Sequence, residues 1–323
     1  MSAHIGELAG GYRQSQILFT AMEAEIFGLL DEPRPAEDVA AELGWSPRGA
    51  RMLLDGLVAI ELVEKGTHGY RNTPAATACL VKGAPGYQGN IIRHNRACRD
   101  AWLSLGGAVR TGTSVKPADG ERGPGELRDF ILGMANIGRM SAREILDKVD
   151  LSPYHHVLDA GGGPASYSIA FLKAHPHMRA TLFDRPEVIH IAREEVAKAE
   201  LEERFAYRSG DLIDNDIGRG YDLVLVSNII HSMGVEDCRT LVNKCFAAMK
   251  SGGLFILKDF LMDPDRSGPA FGFLFAINML VNTREGDTYS VADVEEWTHE
   301  AGFADGEVVT VAANSRLWLT RKP

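Results

Sequence analysis

HHVLDAGGGPASYSIAFLKAH, at 155–175, is the stretch on which the fold turns. HHVLDA reads as a short buried strand, GGG as a tight turn, and the segment from Pro164 onward as a helix. The same rhythm continues downstream. RATLFD, RFAYRSGD, YDLVLVSN and GGLFILKDF read as strands, and PEVIHIAREEVAKAE, VEDCRTLVNKCFAAMK and SVADVEEWTHEAGF as helices. EVVTVAA and RLWLT close the chain as an antiparallel pair. Strands alternating with helices predict a doubly wound α/β sheet covered on both faces.

Ligands of open α/β sheets bind at the carboxyl ends of the strands. Those ends carry Asp159 with Gly161, Gly162 and Gly163; then Asp184; then Gly210 and Asp211; then Ser227, Asn228 and His231; then Asp259. Each is weak alone, but five in register point to a ligand. The glycines let backbone approach a ligand closely, and the following helix start favours an anionic group. Asp184 lies 23 residues after Gly161, where a carboxylate can accept hydrogen bonds from both hydroxyls of a ribose. The ligand is therefore expected to combine a nucleoside with an anionic group.

Two nucleoside cofactors compete. The dinucleotide fingerprint needs a glycine or alanine at its third position, and that frame here reads Gly161, Gly163, Ser166. S-adenosyl-L-methionine asks less of that position and is preferred, with Asp211 as a polar contact for adenine.

The first third of the chain has a different character. QSQILFTAMEAEIFGLL (14–30) has helical spacing, and AEDVAAELG ends a short helix at Gly44. SPRGARMLLDGLVAIEL follows, with Ser46 as N-cap and Pro47 in the first helical position. VEKGTHGYRNT reads as a hairpin, which completes a winged-helix pattern. A further helix is expected over 86–105, a Gly- and Pro-rich connection over 106–125, and another helix over 126–149. The expected division is 1–105, a winged-helix dimerisation domain; 106–150, linker and connecting helices; and 151–323, the cofactor-binding domain.

Bulk properties narrow the class. The 323 residues exceed one comfortable core, and 45% hydrophobic with 24% charged residues is ordinary for a globular chain. A net charge of −10 opposes general nucleic-acid binding, which needs clustered Lys and Arg. Cys79, Cys98, Cys238 and Cys245 form no CxxC pair, so no metal site is expected, and they suit a reducing, cytoplasmic setting. The N-terminus has no basic start followed by an apolar block, so no signal peptide is expected. The most apolar segment, AFGFLFAINMLV (270–281), is far shorter than the about 20 residues that span a bilayer, and reads as a buried helix or a pocket wall.

Taken in order, VLDAGGG (157–163), FDRPEVI (183–189), GDL (210–212), NIIHSM (228–233) and SGGLFILKD (251–259) resemble the S-adenosylmethionine-dependent O-methyltransferases that carry a winged-helix dimerisation domain. That family includes plant phenolic and bacterial natural-product tailoring enzymes. ELGWSPRGARMLLDGLVAIELVEK is similar to the family's winged-helix segment. The resemblance implies a Rossmann-like methyltransferase sheet, a homodimer and a small, aromatic hydroxyl acceptor. It places Gly161, with Gly162 and Gly163, at the methionine end of the cofactor, Asp184 on the ribose, and Asp211 and Leu212 beside the adenine. Ser227 joins this cofactor set, at a position where plant members often carry Lys. Met134, Asn278 and Met279 fall where the family lines the acceptor pocket, and His231 falls on the general base.

The sequence departs from the family pattern at several points. Pro164 and Ala165 replace a small residue and a second glycine. Asp259 stands where a Glu often supports the histidine, and Thr288 stands near a second supporting Glu, with Asp287 adjacent. Asp259 is the first candidate to orient His231, and Asp287 the second. His94 and Arg139 are weaker pocket candidates, and each reads more readily as an ordinary helix residue. Methylation of carbon or nitrogen stays open, as does a regulator that senses the cofactor. Against the regulator, the would-be recognition helix offers only Arg48 and Arg51, opposed by Asp55 and Glu61.

Overall fold

The computed structural model describes residues 2–115, 123–312 and 314–323. The chain divides into two compact units, Met1–Ala97 and Cys98–Pro323.

The first unit contains α1 (Ser2–Gly10), α2 (Tyr12–Glu23), α3 (Ala36–Leu43), α4 (Pro47–Ala59), the strands β1 (Val63–Gly66) and β2 (Gly69–Asn72), and α5 (Pro74–Leu80). The helix α6 (Gly89–Trp102) carries the chain into the second unit. Local chemistry accounts for the boundaries. Gly44 ends α3 at φ 65°, and Ser46 accepts a hydrogen bond from Gly49 N at 3.0 Å to open α4. β1 and β2 pair antiparallel from Val63–Asn72 to Gly66–Gly69. Gly69 is required there, because a Cβ would lie 2.2 Å from the carbonyl oxygen of Arg34. The core of this unit gathers Ile26, Phe27, Leu30, Val39, Leu54, Leu57, Val63 and Tyr70.

In the second unit, α7 (Leu105–Thr111) and α8 (Pro124–Lys148) precede the sheet. The expected loop over 106–125 is thus corrected at its start. GGAVRT is helical, stopped by Gly112 at φ 74°, while residues 116–122 lie outside the described residues. Buried Ala108 packs with Ala101 and Val281, and this packing outweighs the low helix propensity of the two glycines.

The sheet is built from β3 (His156–Ala160), β4 (Arg179–Asp184), β5 (Phe205–Ser209), β6 (Tyr221–Ser227), β7 (Met249–Asp259), β8 (Glu307–Ala312) and β9 (Ser315–Arg321). Its order is β5-β4-β3-β6-β7-β9-β8. The first five are mutually parallel, and β9 runs antiparallel to both β7 and β8. The helices are α9 (Ser166–Ala174), α10 (Pro186–Lys198), α11 (Val235–Ala248), α12 (Ala270–Asn282) and α13 (Val291–Ala301).

The parallel strands read as continuous apolar runs because both faces are buried. Leu223, Leu225 and Ile256 pack toward residues of α8, α9 and α10, whereas Val224, Val226 and Leu257 pack toward α11 and α13. Strand order reverses between β3 and β6, so a crevice opens at their carboxyl ends. Among the described residues no disulfide joins Cys79, Cys98, Cys238 and Cys245. Burial pushes the thiols of Cys238 and Cys245, both on α11, up to about 12. Among the described residues, no helix is long and apolar enough to cross a membrane, and no cluster of His, Cys, Asp and Glu is arranged to hold a metal.

Candidate active site

The glycine turn after β3 is shaped by sterics. Gly161 and Gly163 have φ of 71° and 53°, in the left-handed region. A Cβ on Gly161 would lie 2.6 Å from Ile229 Cδ1 and 3.2 Å from Leu212 Cδ1. A Cβ on Gly162 would lie 2.2 Å from Leu182 Cδ1 and 2.5 Å from the Asp159 carboxyl carbon. The loops after β3, β5 and β6 therefore converge at Gly161, and neither Gly161 nor Gly162 has room for a side chain, whereas the space at Gly163 is open. The expected helix start at Pro164 is corrected: α9 begins at Ser166. Ala165 takes the left-handed conformation at φ 62°, which a helix cannot continue through and which costs about 1–2 kcal/mol for a residue with a Cβ. It is fully buried in the core, which offsets that cost.

Asp184, at the end of β4, is held on both oxygens. Gly163 N donates to Oδ2 and Arg185 N donates to Oδ1, each at 2.8 Å. Each oxygen keeps a further lone pair. Burial raises its carboxyl above the ordinary value, and the two amide donors partly oppose that. Asp159 lies deeper, 1% exposed, and accepts from Ser168 Oγ at 2.5 Å. Burial pushes Asp159 up to about 6.

Asp211 sits in the turn after β5. Its Oδ1 accepts from Ile213 N at 2.7 Å and Asp214 N at 3.2 Å, so the carboxylate shapes this loop. Its neighbour Leu212 is the side chain that reaches the glycine turn. Ser227 ends β6 with a buried Oγ that has no hydrogen-bond partner among the described residues. Asn228 follows at φ 57° and donates its N–H to Lys258 O at 2.8 Å.

His231 lies in a short 3-10 turn, Ile230–Ser232, between β6 and α11. Its Nδ1 is 2.7 Å from Asp259 Oδ1 at the end of β7, and the two side chains are 15% and 3% exposed. A carboxylate only accepts, so Nδ1–H donates and the lone pair is left on Nε2. Asp259 Oδ1 also accepts from Phe260 N at 2.8 Å, which fixes its rotamer. Asp287 is turned elsewhere, pairing with Arg266 at 3.2 Å and accepting from Thr288 N at 2.7 Å. Thr288 is buried and donates to Gly272 O at 3.2 Å. Of the acids weighed from sequence, Asp259 is the one in contact with His231.

An aromatic group surrounds the imidazole. The Phe275 ring meets His231 edge to face at 5.0 Å between centroids, and Phe260 lies 5.9 Å away. Phe260 packs on Phe275 at 4.4 Å and on Phe271 at 5.1 Å. The sequence signal for this group was the four-residue spacing of Phe271 and Phe275 within the apolar segment read as a pocket wall. Sequence alone does not single out the phenylalanines, because one apolar helix face looks like another until its neighbours are known.

The remaining sequence-derived residues are more dispersed. Met134 is half-buried on α8, one helical turn before Gly138, whose position packs against Ser166 and Tyr167 of α9. On α12, Met279 is buried, while Asn278 Oδ1 accepts from Trp102 Nε1 and from Asn282 Nδ2, each at 3.0 Å. The exposed Arg139 lies 4.0 Å from Glu195, at the edge of an ion pair.

Residues 112–304 match the O-methyltransferase domain family, and residues 6–82 match the O-methyltransferase dimerisation domain. The chain is 31% identical to the tetracenomycin polyketide synthesis 8-O-methyl transferase of Streptomyces glaucescens, covering 98% of this chain and 96% of the relative. It is 32% identical to the 3-hydroxy-5-methyl-1-naphthoate 3-O-methyltransferase of Streptomyces sahachiroi, over 95% and 91%. Human N-acetylserotonin methyltransferase, solved in complex with S-adenosylmethionine, superposes with a TM-score of 0.90 at 28% identity, over 99% and 97% of the two chains. The chain belongs to the S-adenosylmethionine-dependent O-methyltransferase family. Its sheet is the Rossmann-like methyltransferase sheet, preceded by a helical dimerisation domain.

Proposed function

We propose that this enzyme methylates a hydroxyl of a small aromatic acceptor, with His231 as general base and Asp259 as the residue that orients it. The observation that carries this reading is the 2.7 Å His231–Asp259 contact set among Phe260, Phe271 and Phe275.

The crevice fits the cofactor on its own chemistry. Gly161 and Gly162 let the turn pack tightly against the neighbouring loops, and Gly163, whose Cβ position is open, leaves backbone uncovered for the methionine end. Asp184 retains a lone pair on each oxygen for the two ribose hydroxyls. Asp211 and Leu212 border the adenine side, and Ser227 the inner wall. When bound, S-adenosylmethionine supplies a methyl group already activated on a sulfonium. His231 Nε2 takes the proton of the acceptor hydroxyl, and Asp259 stabilises the imidazolium that results. A phenol has a pKa of about 10, so this removal matters at neutral pH. The phenylalanines stack on an aromatic ring and exclude water, while Met134 and Met279 close the wall.

We further propose that the first unit, a winged-helix arrangement, pairs two copies into a cytoplasmic homodimer. Ile5, Leu8 and Tyr12 are exposed at 61%, 70% and 68%, an apolar surface consistent with pairing. Arg51 is bound to Asp55 at 2.9 Å, which argues against a role in gripping nucleic acid. A screen with labelled methyl donor over phenols, quinols, amines and keto acids tests the acceptor class. Transfer to phenols alone supports this reading, and transfer confined to amines or to carbon acids overturns it.

A further inference from the structure

Lys258 is one of the largest wholly buried side chains in the protein, 2% exposed, yet it carries an ammonium. Its one hydrogen-bond partner among the described residues is Asn228 Oδ1, at 3.3 Å. An ammonium has three N–H donors and accepts nothing. Strand alternation puts Lys258 on the same face of β7 as Ile256, toward α8 and α9, and opposite to Asp259. Ser227 is its register partner on β6 and shares the face of Leu223 and Leu225. The ring of Tyr167, on the first turn of α9, lies 5.9 Å from Lys258 Nζ. Tyr167 Oη and Ser227 Oγ are both shut off from solvent without a hydrogen-bond partner among the described residues. Lys258 and Ser227 therefore share one face at the carboxyl ends of β6 and β7, beside the Tyr167 ring, and among the described residues only Asn228 Oδ1 lies within hydrogen-bond range of the three ammonium donors.

Such an excess of buried donors is costly unless an anion completes it. A carboxylate suits it best, since two oxygens can accept from an ammonium and two hydroxyls together. From this arrangement we infer that Lys258, Ser227 and Tyr167 form a carboxylate-binding pocket on the α9 side of the crevice. It lies on the other face of the sheet from His231. The inference rests on the methyltransferase reading for its position, and two carboxylates fit: the amino-acid end of the cofactor, or an acid group on the acceptor.

Calorimetry with three probes separates these sources. S-adenosylhomocysteine carries the amino-acid carboxylate, 5′-methylthioadenosine lacks it, and 4-hydroxybenzoate with its methyl ester reports an acceptor acid. Lys258→Met keeps the length of the side chain and removes the charge. It is expected to fold, with a Tm at or above wild type, because an apolar replacement relieves the buried ammonium. If the cofactor is the source, S-adenosylhomocysteine binds at least tenfold more weakly to Lys258→Met and 5′-methylthioadenosine binds as before. If the acceptor is the source, both nucleosides are unaffected and 4-hydroxybenzoate loses affinity while its ester does not. Ser227→Ala and Tyr167→Phe each remove one hydroxyl and are expected to weaken the same probe about three- to tenfold. They decide the matter if Lys258→Met does not fold. Equal loss of both nucleosides, or no loss of any probe, overturns the pocket and leaves Lys258 as a support for Asn228. Wild-type protein that binds neither nucleoside would instead sink the methyltransferase reading, and the 4-hydroxybenzoate pair alone would then decide the pocket.

Discussion

The amide of Gly163 donates to Asp184 Oδ2 at 2.8 Å, so the glycine turn after β3 and the acid at the end of β4 form one bonded unit. Sequence separates the two by 21 residues. Parallel pairing of β3 with β4, through Ala160–Phe183, brings their ends side by side. The group that would hold the ribose is thereby also the group that sets the shape of the turn.

Asp184→Ala should therefore weaken S-adenosylhomocysteine at least tenfold, through loss of about 1.5–3 kcal/mol per charge-assisted hydrogen bond before compensation. It should also lower stability in the absence of ligand, because Gly163 and Arg185 lose their acceptor. Calorimetry and thermal unfolding read the two effects separately. Tight nucleoside binding by the mutant would exclude Asp184 as the ribose ligand.

His231→Ala should reduce methyl transfer to a phenol by about 10²–10⁴ with cofactor affinity little changed. The loss should shrink for more acidic hydroxyls and as pH approaches the acceptor's own pKa. Asp259→Asn should cost less, since it disturbs the orientation of the imidazole and leaves the base in place. Near wild-type rates for His231→Ala at neutral pH would show that the histidine is structural.

Asp159 offers a test by pH. Its folded-state value of about 6 lies above the ordinary 3.8 because of burial. Between those values the folded protein binds more protons than the unfolded chain, so this group lowers stability as pH rises through that window. Asp159→Asn retains an acceptor for Ser168 and should raise the ligand-free stability at pH 7 by on the order of 2–3 kcal/mol, read from denaturant unfolding. The gain should fade towards pH 4. A pH-independent loss of stability would contradict this account of Asp159.

Association should depend on α1. Scattering at micromolar concentration should give about twice the 35.2 kDa of one chain. Leu8→Asp combined with Ile5→Asp should shift the mass towards one chain without unfolding it, since both side chains are exposed in a single copy. A wild-type monomer would rule the dimer out.

Much of the site could be read in order along the chain. Each parallel strand is an apolar run that must end where its polar or glycine residue begins, and the fold brings those ends to one edge. Gly161, Asp184, Asp211, Ser227, His231 and Asp259 are placed along that edge by sequence, and β3 to β7 carry them there. This holds because strand ends are local features and the edge they share follows from parallel pairing.

What periodicity could not reach was decided by strand order, register and side-chain direction. Asp259 rather than Asp287 meets His231 because β7 lies beside β6, and a separation of 28 residues closes to 2.7 Å. Pro164 looked like a helix start, but Ala165 at φ 62° delays α9 to Ser166, because the turn must first clear Leu182 and Asp159. Phe260, Phe271 and Phe275 become one aromatic wall only when α12 folds against the end of β7. Lys258 reads as one polar residue in an apolar strand, and its burial beside Ser227 and Tyr167 emerges only when α9 covers that face of the sheet. Sequence specifies which face of its own element a residue occupies, and only packing between distant elements specifies what it touches.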